Sequence, residues 1–233
     1  MIVALNNKCN LEKQEYESYI TELNNINCQS KLIICPTFLN LGNTNNCNFS
    51  LGAQNVGINS TGAFTGEIGA SQLKSYNAEY CIVGHSERRE YQKETLSEIN
   101  TKIKNLFVKD ITPILCIGET KEQRDNNQVK EILEKEITTA IEGLTFEEKN
   151  KLIIAYEPIW SIGTGIIPTL KEIKEIFTFI KTLLPTSKVL YGGSANENNI
   201  DTLKTEPLID GYLLGGLSLK PIELKIFLDK LEN

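Results

Sequence analysis

With 233 residues and 40% hydrophobic content, the chain has the material for one sizeable core, and a single domain over residues 1–233 is expected. A net charge of −6 argues against nucleic acid as the main partner, so an anionic ligand must be drawn by local charge and oriented N–H groups. Six cysteines without CxxC spacing and one histidine leave no ordinary zinc ligand set, so neither metal nor cofactor is expected, and the thiols are expected reduced, in the cytoplasm.

Along the chain, short apolar runs alternate with polar segments of helical period. IVAL ends at Asn6 and Lys8, ahead of the amphipathic LEKQEYESYITELNNI. IVAL is too short for a secretory core, and no later run reaches membrane length, so no membrane association is expected. KLIIC is followed by LNLGNTNNCN, whose weak periodicity predicts a short or irregular helix. SLGAQ ends at Gln54 and Asn55, before a stretch rich in Gly, Ser, Thr and Asn around Phe64. YCIVG meets His85, after which Ser86 and ERREYQKETLSEINTKIKNLF read as one long polar helix. TPILCIG ends at Glu119 and precedes QVKEILEKEITTAIEG. LIIAYE ends at Glu157, and Thr169 with Glu172 predicts a capping box for LKEIKEIFTFIKTLL. KVLYGG and DGYLLGG end in glycines. Eight β-then-α units predict a single closed parallel (β/α)8 barrel.

In such a barrel the chemistry sits where strands end. His85, the one histidine, lies beside the free N–H groups and positive dipole of a helix start, which disfavours imidazolium and suits donation to a developing oxyanion. Glu157 is the first charged residue after its strand and faces the barrel mouth. The stiff Pro158 and Trp160, then Gly163, Thr164 and Gly165, read as a hinged lid with an N–H-rich tip. Gly192, Gly193, Ser194, Gly215 and Gly216 place bare backbone at adjacent exits, a pattern suited to cradling phosphate.

The segments LNNK, AQN, GAFTGEI, YCIVGHSERR, CIGE, AYEPIWSIGTG, YGGS and DGYLLGGLSL, in this order over nearly the whole chain, resemble the triosephosphate isomerase family. The resemblance implies a TIM barrel that interconverts dihydroxyacetone phosphate and D-glyceraldehyde 3-phosphate, a reaction of glycolysis and gluconeogenesis. From the family it carries over Glu157 as the base at carbon, neutral His85 as electrophile and proton shuttle, Lys8 as fixed positive charge and Asn6 as a substrate hydrogen-bond partner. It further implies that Glu87 helps orient the site, although a first-turn acid complementing the helix dipole reads equally well. Gly163, Ser194, Gly215 and Gly216 would bind the phosphate, Glu119 would brace the lid near Trp160, and closure would protect the enediolate from losing phosphate to methylglyoxal. A homodimer through the loop around Phe64 and Thr65 is implied as well, with Thr65 near the partner's site.

Three departures from the family bear on these roles. LNNK puts Leu5 where a small residue is usual and Asn7 where an aromatic is usual. Pro168 occupies the position whose backbone N–H commonly latches the closed lid, with Tyr191 as the implied partner, which predicts a different latch. The chain is also short for the family, which predicts trimmed loops away from the site. Two other classes stay open on residues alone: another phosphate-binding barrel isomerase or epimerase, which would not need GHSERR and YEPIW together, and a noncatalytic barrel scaffold, which would tolerate loss of Lys8, His85 or Glu157.

Overall fold

A strand buried on both faces reads as an unbroken apolar run, and all eight runs become parallel strands of one closed barrel. In order around the ring they are β1 (Ile2–Asn6), β2 (Lys31–Cys35), β3 (Ser50–Ala53), β4 (Tyr80–Val83), β5 (Thr112–Ile117), β6 (Ile153–Tyr156), β7 (Lys188–Tyr191) and β8 (Gly211–Leu214). Ala4 of β1 pairs with Ile33 of β2 on one side and with Leu213 of β8 on the other, which closes the ring. The computed structural model describes residues 1–44, 47–164 and 166–233.

The helices are α1 (Lys13–Asn24), α2 (Ala70–Ser75), α3 (Ser86–Tyr91), α4 (Leu96–Phe107), α5 (Lys121–Asp125), α6 (Val129–Ala140), α7 (Phe146–Lys151), α8 (Leu170–Leu183), α9 (Ile200–Leu203) and α10 (Pro221–Glu232). They form the outer layer, each longer one burying a stripe at helical spacing, such as Ile173, Ile176, Phe177 and Ile180 of α8. The capping box of α8 is present: Glu172 N–H donates to Thr169 Oγ1 at 3.3 Å, and Thr169 N–H donates to the Glu172 carboxylate at 2.7 Å. Among the described residues no helix is long and apolar enough to cross a membrane.

Side chains alternate along each strand, so two cores form. Ala4, Ile33, Ile82, Cys116, Ala155 and Leu213 are among those that fill the barrel, whereas Val3, Leu5, Val83, Leu115 and Ile154 face the helices. The same alternation aims the site. Asn6 lies two residues after Ala4, Glu157 two after Ala155, and Gly215 two after Leu213, so each falls on the interior face at the strand exits.

The long helix expected from Ser86 to Phe107 is in fact two, α3 and α4. Lys93 between them takes a left-handed φ of 56°, which no α-helix accommodates. Thr95 then starts α4 with its own capping box, its N–H donating to the Glu98 carboxylate at 2.7 Å. In the weakly periodic segment, residues Phe38–Thr44 form a 3₁₀ helix, in line with a short or irregular one, while Asn45 and Asn46 lie outside the described residues.

Candidate active site

His85 reaches the barrel mouth because Gly84, at φ 69°, turns the chain out of β4 and into α3. The imidazole is 6% exposed, and its Nδ1 accepts the Glu87 backbone N–H at 3.3 Å. A nitrogen that accepts a bond carries no proton, so in this arrangement the ring is neutral with its proton on Nε2. That Nε2 faces Glu157 Oε1 at 3.1 Å, and the other Glu157 oxygen accepts the Ser86 N–H at 3.2 Å.

Burial pulls the His85 pKa down, as the helix-start argument expects, but the Glu157 carboxylate outweighs it and carries the ring above its ordinary value. Glu157 mirrors this. Burial pushes its carboxyl up, yet His85 and the Ser86 N–H hold it below the usual carboxylate range.

Lys8 projects from a strand exit kinked into the left-handed region at φ 53°. Two bonds hold that backbone: Lys8 N–H donates to Asn6 Oδ1 at 3.1 Å, and the Lys8 carbonyl accepts from Gln54 Nε2 at 2.8 Å. The ammonium donates to Glu87 Oε1 at 2.5 Å, while Glu87 Oε2 lies 3.6 Å from His85 Nδ1. Glu87 thus ties the lysine to the histidine through both its carboxylate and its N–H. The Lys8 stem passes over bare backbone, since a Cβ at Gly215 would sit 3.2 Å from Lys8 Cε.

Asn6, Lys8, His85, Glu157, Gly163, Ser194, Gly215 and Gly216 all line one cavity of about 470 Å³. Glu87 borders an adjoining cleft that shares Asn6, Lys8 and His85. The titratable pair, a cation and bare glycine backbone thus share the cavity's lining. Lys220 also lines it and was not picked out from the sequence; its position between a strand-exit Gly pair and the Pro that begins α10 is the signal that marks it. Arg89 of the GHSERR segment was missed too. It lies beneath the site, donating from Nε to the Gly84 carbonyl at 2.8 Å and pairing with Glu136. Among the described residues no group of His, Cys, Asp or Glu is arranged to hold a metal ion.

The contact expected between Glu119 and Trp160 is present. Glu119, with no exposed surface, accepts from Trp160 Nε1 at 2.9 Å, from the Tyr156 hydroxyl at 3.1 Å and from Arg124 at 2.8 Å. Gly165 of the expected tip lies outside the described residues. Ser161 joins the two sides of the lid, its hydroxyl donating to the Ile166 carbonyl at 2.5 Å, and its own carbonyl accepts from Ser194 Oγ at 2.5 Å. Pro168 is buried and offers no N–H. The Tyr191 hydroxyl is buried without a well-formed hydrogen bond among the described residues, and burial pushes its pKa up to about 12, with Ser161 beside it holding the rise back.

The sequence as a whole has counterparts among known proteins. A family model described as Triosephosphate isomerase matches residues 1–231. A protein named triosephosphate isomerase from Clostridium perfringens (strain SM101 / Type A) is 39% identical over 233 residues, covering 94% of each chain. Its namesake from Endomicrobium trichonymphae is 40% identical over 202 residues, covering 82% of this chain and 81% of its own. The one from Dictyoglomus turgidum is 36% identical over 236 residues, covering 94% and 95%. With a family-model match that runs nearly end to end and relatives at 36–40% identity, the chain belongs to the triosephosphate isomerase family.

Proposed function

We propose that this enzyme, an isomerase interconverting dihydroxyacetone phosphate and D-glyceraldehyde 3-phosphate, uses Glu157 as base and neutral His85 as electrophile. The observation that carries the assignment is the 3.1 Å apposition of Glu157 and His85 Nε2 in a cavity that Lys8 and bare glycine backbone also line. Lys8 and the N–H groups near Gly163, Ser194, Gly215 and Gly216 hold the phosphate, and Asn6 orients the triose.

In the substrate-free site the Glu157 carboxylate is occupied by His85 and the Ser86 N–H, so it must leave both to reach carbon. It then removes a proton from C1 of the ketose while the C–H electron pair moves through the enediolate onto the C2 oxygen. His85 donates its Nε2 proton to that oxygen and recovers one from the C1 hydroxyl. Glu157 returns the carbon proton to C2, which completes the aldose. Departure of the carboxylate also removes the main influence that raises His85, leaving burial, Lys8 and the helix start against Glu87 to keep the ring neutral when neutrality matters. Glu87, bonded to Lys8 and donating its N–H to His85, keeps cation and imidazole in register.

The family resemblance, together with the exposed Phe64, Leu39 and Tyr91, supports a homodimer through the loop around Phe64 and Thr65. Six free thiols suit a reducing cytoplasm. Isomerase assays of the protein beside Glu157→Gln, purified identically, test the reaction and the base together. Turnover should fall by about two to four orders of magnitude in the variant. Equal activity in both would remove Glu157 from its role.

A further inference from the structure

On the outer face of β1, directly behind Lys8, three polar side chains occupy a buried place that packing alone would fill with carbon. Asn7 is 1% exposed, and its side-chain amide donates to the Tyr19 hydroxyl at 3.1 Å and to Ser218 Oγ at 3.3 Å. The Tyr19 hydroxyl donates to the Ser218 carbonyl at 2.6 Å, and Ser218 Oγ donates to the Asn6 carbonyl at 3.0 Å. Every hydroxyl proton in the group is thereby assigned. Asn7 Oδ1 is buried with no partner among the described residues, an expense that a leucine of similar size would not incur. A directional group kept at such expense favours geometry over packing.

What the group joins is specific. Asn6 and Asn7 form the exit of β1 that carries Lys8, and Ser218 lies in the 3₁₀ turn Gly216–Leu219 that leaves β8, its N–H closing on the Gly215 carbonyl at 2.9 Å. Tyr19 is on α1, so strand exit, glycine turn and outer helix meet at one point. On the cavity side the Lys8 stem rests against Gly215. A slip of β1 against β8 would therefore move the lysine relative to the N–H groups of the glycine turn. His85 and Glu157, on the exits of β4 and β6, find their hydrogen-bond partners elsewhere, in each other, Ser86 and Glu87.

We propose that Asn7, Tyr19 and Ser218 are positioning residues that lock Lys8 and the Gly215–Gly216 turn into one rigid anion-binding unit. The proposal rests on the isomerase reading above and adds where the affinity for phosphate is set. It separates phosphate affinity from chemistry, because loosening the unit weakens the grip on the anion while the acid–base pair stays in place.

The test uses Tyr19→Phe and Ser218→Ala, each removing one hydroxyl with little change of volume. Ser187→Ala serves as control; it removes a buried hydroxyl that donates to the Lys149 carbonyl at 2.7 Å, at the opposite end of β7. Measured are KM, kcat, the Kd for inorganic phosphate by calorimetry, and Tm. In both site variants KM and phosphate Kd should rise together by about threefold or more, with kcat falling by less than KM rises. Ser187→Ala should lower Tm without moving either. Site variants that lose Tm while KM and phosphate Kd track the control would overturn the proposal. The phosphate titration needs no turnover, so an inactive parent protein would count against the isomerase reading while the titration still decides this one.

Discussion

Gly118 abuts the backbone of Glu157 so closely that a Cβ added at Gly118 would lie 1.7 Å from the Glu157 carbonyl oxygen. The contact is with main chain, which cannot rotate aside as a side chain could. Gly118→Ala should therefore push the exit of β6 outward, at a cost of about 1–3 kcal/mol in stability, and displace the carboxylate from the cavity. Thermal melting and turnover should both fall. A variant that melts like the parent and turns over normally would show that the two exits are not rigidly opposed.

The sole histidine makes its titration directly readable by NMR. In the parent protein the imidazole should titrate above 6.5, because burial and, to a smaller extent, Lys8 pull it down while Glu157, helped by Glu87, raises it by more. In Glu157→Gln the titration should move below that of the parent, and the neutral ring should show Nδ1 as its bare nitrogen, as the bond from Glu87 N–H requires. A raised folded pKa also means that the charged pair stabilises the fold below pH 6.5, and that this contribution is lost as pH rises through the folded value. Glu157→Gln should flatten that part of the stability profile. An unshifted imidazole would disprove the coupling.

Glu172 sits at the start of α8 between Arg124, at 2.7 Å, and its own capping partner Thr169. Burial, the largest single influence, pushes its carboxyl up, but Arg124 and Thr169 together hold it down to about 2. The carboxyl titrates lower in the fold than in the unfolded chain, so its stabilisation is complete above 4.5 and drains away as pH falls towards 2. Glu172→Gln should shrink the loss of Tm across that window. The effect will be modest because the side chain is 42% exposed and solvent screens it. Identical acid profiles for the two proteins would rule out this contribution.

Pro168 offers no N–H, and Tyr191, the partner the family resemblance implies for that position, has a buried hydroxyl without a well-formed bond among the described residues. Pro168→Ala should supply the missing donor, a bond worth about 0.5–1.5 kcal/mol net, while releasing a backbone that proline restrains. Turnover and the share of substrate lost as methylglyoxal should both change. Adding Tyr191→Phe should reverse the change only in the Pro168→Ala background. If neither quantity moves, Pro168 has no part in closure.

The barrel was legible because strands buried on both faces are apolar without interruption, and the interior parity that places Asn6 and Glu157 follows from counting by twos. The break between α3 and α4 was also written in the chain, as Thr95 and Glu98 repeat the spacing of Thr169 and Glu172. It was masked because the residues between are as polar as any exposed helix face. The reversal at His85 was not legible, since it depends on a carboxylate from another strand arriving at 3.1 Å. The bond between Asn7 and Ser218 spans 211 positions, and no local pattern signals it.

The pairing of β1 with β8 has a consequence for synthesis. Asn6 and Lys8 are made about two hundred residues before the glycine turn beside them, which follows β8. Contacts of such wide sequence separation form late, so the anion-binding end of the site stays incomplete until almost the whole chain is present. No fragment lacking β8 holds a finished site, and the onset of activity during refolding marks closure of the ring.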